Sequence, residues 1–258
     1  MDAVVIAGGI PQPDEPLYPY TQGKPKALLD ICGKPMLQWV LDALGAARQV
    51  ENVVLVGLPE DGGISCAKPL VFIPNQASMI ENVLAGIKKV SEITPAASNV
   101  LLSTSDIPGI TPEMVDWEVE TTRTMDVDLC YNIVERAVIE KRYPGSRRTF
   151  TRLRGVEVCG ADMHVVHTSV ASLNPEIWER LIASRKNPVK QAAILGFDTL
   201  LLMLLRLITL DKAVSKVTAR LHMTGKAIIS PYAEMAMDVD KPHQLEMMRR
   251  DLARRVGN

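Results

Sequence analysis

Apolar positions follow two periods in the first half of the chain. Short apolar runs at residues 2–7 (DAVVIA), 52–57 (NVVLVG), 70–74 (LVFIP) and 99–106 (NVLLSTSD) have the length of buried strands. Between them, Met36, Val40, Ala43 and Ala47 recur at helical spacing, and Met79, Ile80, Val83, Leu84, Ile87 and Val90 form a 3.6-residue stripe. Thr111-Pro112-Glu113 predicts a further helix start, a hydroxyl cap followed by proline where no N–H is required. Such β-α-β alternation implies a mainly parallel sheet covered by helices, with right-handed crossovers. Ligands of these sheets gather at the carboxyl ends of strands. Here those ends present Ala7-Gly8-Gly9, Gly57 and Ser105-Asp106.

Beyond residue 126 the pattern changes. Residues 128–136 alternate, a basic turn-rich loop spans 141–155, and short strands are predicted at 156–159 and 163–167. Helices are predicted from 174 to about 186, from about 188 to 206 and from near Leu210. Strands at 226–230 and 236–239 precede a terminal helix from Pro242. The Leu-rich stretch 192–210 is interrupted by Asp198 and Arg206 and falls short of the roughly 20 apolar residues that span a bilayer. It predicts a buried helix with no stable membrane insertion, packed within the chain or against a second copy in a homodimer.

Composition narrows the classes. The 258 residues carry 29 Lys+Arg against 30 Asp+Glu, a net charge of −1, so no nucleic-acid partner is expected. Aromatics, at 4%, are too few for stacking platforms. Cys32, Cys66, Cys130 and Cys159 show no C-x-x-C spacing, which points to a reducing cytoplasm and away from structural zinc. The absence of a basic, apolar leader at the N-terminus points the same way. The four histidines have no metal-ligand spacing and read as structural.

Three motifs carry the chemistry: IAGG (6–9) followed by PKALLDICGKPML (25–37), STSDIP (103–108), and MDVDKPHQLEMM (237–248). In that order, the chain resembles the nucleotidyltransferase superfamily with the nucleotide-diphospho-sugar transferase fold. Sugar-phosphate nucleotidylyltransferases, cytidylyltransferases and molybdenum-cofactor guanylyltransferases are among its members. The resemblance implies a three-layer, Rossmann-like α/β/α sandwich on a mainly parallel mixed sheet. It implies one NTP-transferase domain over 1–258, with a nucleotide-binding half (1–125), an acceptor-side lobe with a helical insertion (126–235) and a metal-ligand segment with a terminal helix (236–258). It also implies a magnesium-dependent enzyme that moves an NMP from an NTP to a small phosphorylated or hydroxyl acceptor and releases pyrophosphate.

The residues suit those roles. Magnesium takes hard oxygens and usually only one or two protein carboxylates, which Asp106 and Asp240 supply. Asp238 is an alternative ligand, and Asp240 competes as a helix cap. Lys26 is the cation expected at the α-phosphate, with Lys24 and Lys34 as competitors. Relatives carry an arginine in the first loop; this chain has none before Lys24, so either Lys24 substitutes or the loop closes differently. Ala7, Gly8, Gly9 and Ser105 would meet the nucleotide through backbone and hydroxyl groups. Residues 74–87 correspond in place to the family segment that reads the base, so the resemblance implies that Gln76, Ser78 and Asn82 offer groups to a base edge, although Ser78-x-x-Glu81 equally fits a capping box. Arg147 and Arg148, with Asp162, are candidates for the acceptor, since guanidinium groups bind oxyanions bidentately. Two alternatives stay open: a glycosyltransferase using D-x-D at 126–128 or 238–240, and a non-catalytic nucleotide sensor.

Overall fold

The computed structural model describes residues 1–60, 63–173, 175–183 and 205–257, together with Gly196 and Leu202. Its organising element is a sheet that runs through both halves of the sequence. Strand β1 (Asp2–Ile6) is an unbroken run of buried residues. Between it and the next sheet strand lie a short helix α1 (Tyr18–Thr21), a hairpin of β2 (Asp30–Ile31) and β3 (Lys34–Pro35), and helix α2 (Met36–Ala46). β1 pairs in parallel with β4 (Val53–Val56), and β4 with β5 (Leu70–Ile73). On the other side of β1, β6 (Asn99–Thr104) joins in parallel. Helices α3 (Met79–Ile93) and α4 (Pro112–Thr122) flank β6 in the chain.

The second half adds β7 (Leu129–Glu135), helix α5 (Arg136–Arg142), β8 (Thr151–Leu153), β9 (Val156–Gly160) and β10 (Met163–His167). After helix α6 (Pro175–Ala183) and helix α7 (Leu210–Arg220) come β11 (Gly225–Ser230) and helix α8 (Pro242–Val256). β10 runs antiparallel between β6 and β7. One edge of β7 is shared in succession: Leu129 and Cys130 face β10, whereas Ile133 to Glu135 face β9. The chain therefore bends at Ala161-Asp162, where Ala161 N–H donates to the Asn132 carbonyl and Asp162 N–H to that of Met235. The other edge of β7 takes β11 in parallel.

Alternation along the strands divides the core. Ala3, Val5, Leu101, Met163 and Val165 face one layer with buried residues of α2, α4, α5 and α8. Val4, Ile6, Val54, Val56 and Val100 face α3. Ile133, Leu153, Val158 and Ala213 make a third cluster beneath α7. The sheet and its two helical layers are the α/β/α sandwich, mixed but mostly parallel in its first half, that the motifs imply.

Two local expectations are corrected, and a third falls largely on residues that the structure does not describe. Residues 236–239 are not a strand: a 3₁₀ turn covers Ala233–Ala236 and the chain then runs irregularly, with Val239 N–H donating to the Asp106 carbonyl. Thr111 stands at the cap position of α4 without capping it, because its hydroxyl bonds the Glu113 carboxylate. The apolar helix expected over 192–210, and the homodimer argued from it, lie mostly outside the described residues. Its described tail is a turn, with Arg206 at φ 58° and Ile208 buried. Among the described residues no helix is long and apolar enough to cross a membrane.

The end of β4 sets the shape of the first loop. Gly57 has φ 112°, and a Cβ there would lie 2.3 Å from the Gly8 nitrogen. Backbone cannot move aside as a side chain can, and the conformation itself disfavours any L side chain. Gly57→Ala is therefore expected to cost about 2 kcal/mol or more. Urea denaturation checks this; an unchanged midpoint would show that the loop adapts freely.

Candidate active site

The carboxyl ends of β1 and β6 are adjacent, and Ser105 N–H donates to the Ile6 carbonyl to hold them so. The turn Ala7-Gly8-Gly9 leaves β1 there. Gly8 is pressed against Asn75, whose Oδ1 would lie 2.1 Å from an added Cβ, whereas Gly9 faces open space. Lys26 N–H donates to the Gly9 carbonyl, which brings a residue 17 positions later onto the same turn. The result is a cleft of about 280 Å³ bordered by Gly8, Gly9, Lys26, Gln76, Ser78 and Asp106. Asn82, Ser105, Asn75, Thr104 and Met79 also line it.

Three charged groups meet beside this cleft. Lys26 Nζ lies 2.6 Å from Asp106 Oδ2 and 2.6 Å from Asp240 Oδ1. The Thr104 hydroxyl donates to the second Asp106 oxygen, which fixes that carboxylate's rotation. Burial alone would lower the Lys26 pKa, but the two carboxylates more than offset it and hold the ammonium above its ordinary range. Asp240 does not cap α8: Lys241 occupies the cap position, and Gln244 reaches back to accept from the Asp240 N–H.

Asp162 lies at the bend between β9 and β10, and its carbonyl accepts from Thr104 N–H. Its Oδ2 is buried without a hydrogen-bond partner. Burial, then the charge of Asp106, raises its pKa to about 7; Arg148 opposes the shift. Arg148 itself is engaged in an ion pair with Asp238, both side chains nearly buried. Asp238 and Arg148 are thus each other's charge partners. Arg147 adopts φ 53° and is exposed.

The remaining candidates divide. Lys34 pairs with Asp42 and lies over the Trp39 ring, and Lys24 is exposed outside the cleft. Lys26 alone of the three lysines lines the cleft. Ser78 caps α3 by accepting from Glu81 N–H at 3.2 Å. The buried Asn82 amide is committed to the 74–78 loop, accepting from Gln76 N–H and donating to Asn75 Oδ1. It shapes the cleft wall rather than offering free groups. Asn75, Thr104 and Met79 are site residues that sequence reading passed over. Met79 belongs to the helical stripe, yet it is 61% exposed at the cleft mouth because it opens the first turn of α3.

Among the described residues, no three His, Cys, Asp or Glu side chains are grouped to hold a metal. Asp106 and Asp240, far apart in the sequence, nevertheless converge on one cation, the Lys26 ammonium. That donor set, two hard carboxylates beside an open cleft, fits an ion that takes one or two protein ligands and the rest from substrate.

A second buried acid lies across the sheet. Glu118 of α4 accepts from Asn132 Nδ2, while Glu118 Oε1 and Asn132 Oδ1 are buried without partners. Burial raises the Glu118 pKa to about 7, despite the Asn132 hydrogen bond. Between the unfolded value of 4.5 and about 7 the folded state holds a proton that the unfolded chain has released. Stability should therefore fall as pH rises through that window and level off above it. Glu118→Gln is expected to remove on the order of 3 kcal/mol of that decline, Asp162 accounting for what remains. Urea melts at pH 5 and pH 8 measure the slope; an unchanged slope in the variant would exclude Glu118 as its source.

A Rossmann-like sandwich with a glycine turn, a lysine and paired carboxylates at one end of its sheet defines the nucleotide-diphospho-sugar transferase fold. More narrowly, the chain belongs to the MobA-like NTP transferase domain family, whose model matches residues 3–199. A hypothetical transferase structure from Thermus thermophilus superposes with a TM-score of 0.80 at 29% identity, covering 95% of this chain and 98% of that one. Over 99 residues the sequence is 31% identical to 2-C-methyl-D-erythritol 4-phosphate cytidylyltransferase of Crocosphaera subtropica, covering 35% of this chain and 42% of that protein. Over 107 residues it is 27% identical to the bifunctional protein GlmU of Thermoanaerobacter pseudethanolicus, covering 40% and 23%. The chain thus matches less than half the length of these curated relatives.

Proposed function

We propose that this chain is a nucleotidyltransferase that moves an NMP from an NTP to a small acceptor. The observation that carries the reading is Lys26 held at 2.6 Å from both Asp106 and Asp240, beside the Gly8-Gly9 turn. Family membership supports it, as do the names of the two curated relatives. An oxygen of the acceptor forms a bond to the α-phosphorus in line with the breaking bond, and pyrophosphate departs. Backbone N–H groups of the turn receive phosphate oxygens. Lys26 exchanges a carboxylate partner for the phosphate on which charge grows. The loop at 74–78, braced by Asn82, borders the base. Asp106 and Asp240 would hold magnesium, which neutralises the charge that shifts onto pyrophosphate. The acceptor enters from the side of Asp162. Four free thiols suit a reducing cytoplasm.

The D-x-D sequences give the glycosyltransferase alternative less support. Asp238 is paired with Arg148. Asp128 lies at the opposite end of β7 and accepts from the N–H and hydroxyl of Thr224.

Thermal denaturation with each of the four NTPs, with and without magnesium, tests the proposal. One nucleotide should stabilise the protein by about 2.7 kcal/mol at a hundredfold excess over its Kd, and only with magnesium. Turnover should then release pyrophosphate. Stabilisation by none of the four would overturn the reading.

A further inference from the structure

The alternating residues Leu129, Tyr131 and Ile133 of β7 point to the face opposite Cys130 and Val134. Helix α7 spans that face with Leu210, Ala213, Val214 and Val217, but it does not close onto the sheet. Between them lies a cavity of about 380 Å³ whose lining is apolar apart from Thr151, Thr218 and the Tyr131 hydroxyl. That is the size range of small-molecule sites. Among the described residues no charged side chain lines it.

One end of this cavity lies at the bend that carries Asp162. Gly160 lines it, and Asp162, with its unpartnered Oδ2, is two residues further along the same bend. The Tyr131 hydroxyl lies over Gly160, 2.5 Å from where a Cβ would be, so the phenol occupies this end only because residue 160 is glycine. The Tyr131 ring is held there by a parallel stack on His164, with centroids 4.6 Å apart. His164 is fixed in turn by accepting from Asn132 N–H. Among the described residues the Tyr131 hydroxyl has no hydrogen-bond partner, although it lies between an apolar cavity and a carboxylate. Arg148 is paired with Asp238.

We propose that the acceptor is amphiphilic: an aliphatic body fills the cavity between β7, β9 and α7, and a terminal oxygen is delivered past Tyr131 toward Asp162. The inference rests on the nucleotidyltransferase reading for its word acceptor, but not for the binding itself. A lining that is uncharged among the described residues, two residues from Asp162 at its Gly160 end, selects a hydrocarbon chain over a sugar, whose hydroxyls would lack partners here.

Calorimetric titration of the full chain with 1-octanol and with octyl phosphate, each below its aggregation concentration, tests this without nucleotide. Glycerol and glycerol phosphate serve as polar controls, and the two alkyl probes distinguish a hydroxyl from a phosphate head group. At least one alkyl probe should bind about tenfold or more tightly than its polar counterpart, since each buried methylene contributes. Val214→Phe, at a half-buried position on α7, should fill the cavity and weaken that probe about tenfold. Its melting temperature and NTP-dependent stabilisation should match the wild type. Alkyl probes no better than their controls, or unaffected by Val214→Phe, would overturn the proposal. Loss of NTP stabilisation in the wild type with alkyl binding intact would instead refute the nucleotidyltransferase reading and leave an alkyl site.

Discussion

Asp106→Asn is expected to reduce magnesium-dependent pyrophosphate release by about a thousandfold or more, the several kcal/mol that a correctly held cation contributes to transition-state charge. The substitution keeps shape and removes charge. Asparagine can still accept from the Thr104 hydroxyl, and the backbone bond from Val239 to the 106 carbonyl is untouched. The fold should therefore survive, with a melting temperature within a few degrees of the wild type. What is lost is half of the carboxylate pair that converges on Lys26. Magnesium-dependent stabilisation by NTP should vanish with turnover. A variant that keeps more than a tenth of wild-type activity would show that Asp106 does not hold the cation, and would move the site toward Asp240 and Asp162.

How much of this site was legible in the sequence depends on how far each contact reaches. Lys26, Asp106 and Asp240 were legible because each sits in a motif at a strand end or loop whose place the β-α-β pattern dictates. Their mutual distances were not, since 80 and 214 residues separate the partners of the two bonds. The Arg148–Asp238 ion pair is illegible for the same reason, since 90 residues separate its partners. Ser78 shows the reverse: its capping bond is local, so the S-x-x-E spacing already contained it. Asn82 looked free because nothing within its own helix claimed it; the loop that claims it folds back from the strand before. Alternation at 128–136 marked Leu129, Tyr131 and Ile133 as one face, but which helix covers that face, and how loosely, is a property of packing. The irregular 236–239 stretch has the composition of a strand and no neighbouring strand to pair with.

Lys26→Met is expected to lower kcat and kcat/KM together, by about a hundred- to a thousandfold, the range seen when one group that meets developing charge is removed. The structure adds a second expectation that separates this role from simple anchoring. Without nucleotide, the ammonium itself neutralises Asp106 and Asp240, at 2.6 Å from each. It is therefore a competitor for any divalent cation at that position. Removing it leaves two carboxylates facing one another with no counter-charge, and like charges so placed attract a cation strongly. Magnesium should bind the nucleotide-free variant more tightly than it binds the wild type, while turnover falls. Titration calorimetry with magnesium alone and steady-state pyrophosphate release measure the two effects separately. A rise in KM at constant kcat, with magnesium affinity unchanged, would reduce Lys26 to a ground-state phosphate anchor and dissolve the coupling between the lysine and the carboxylate pair.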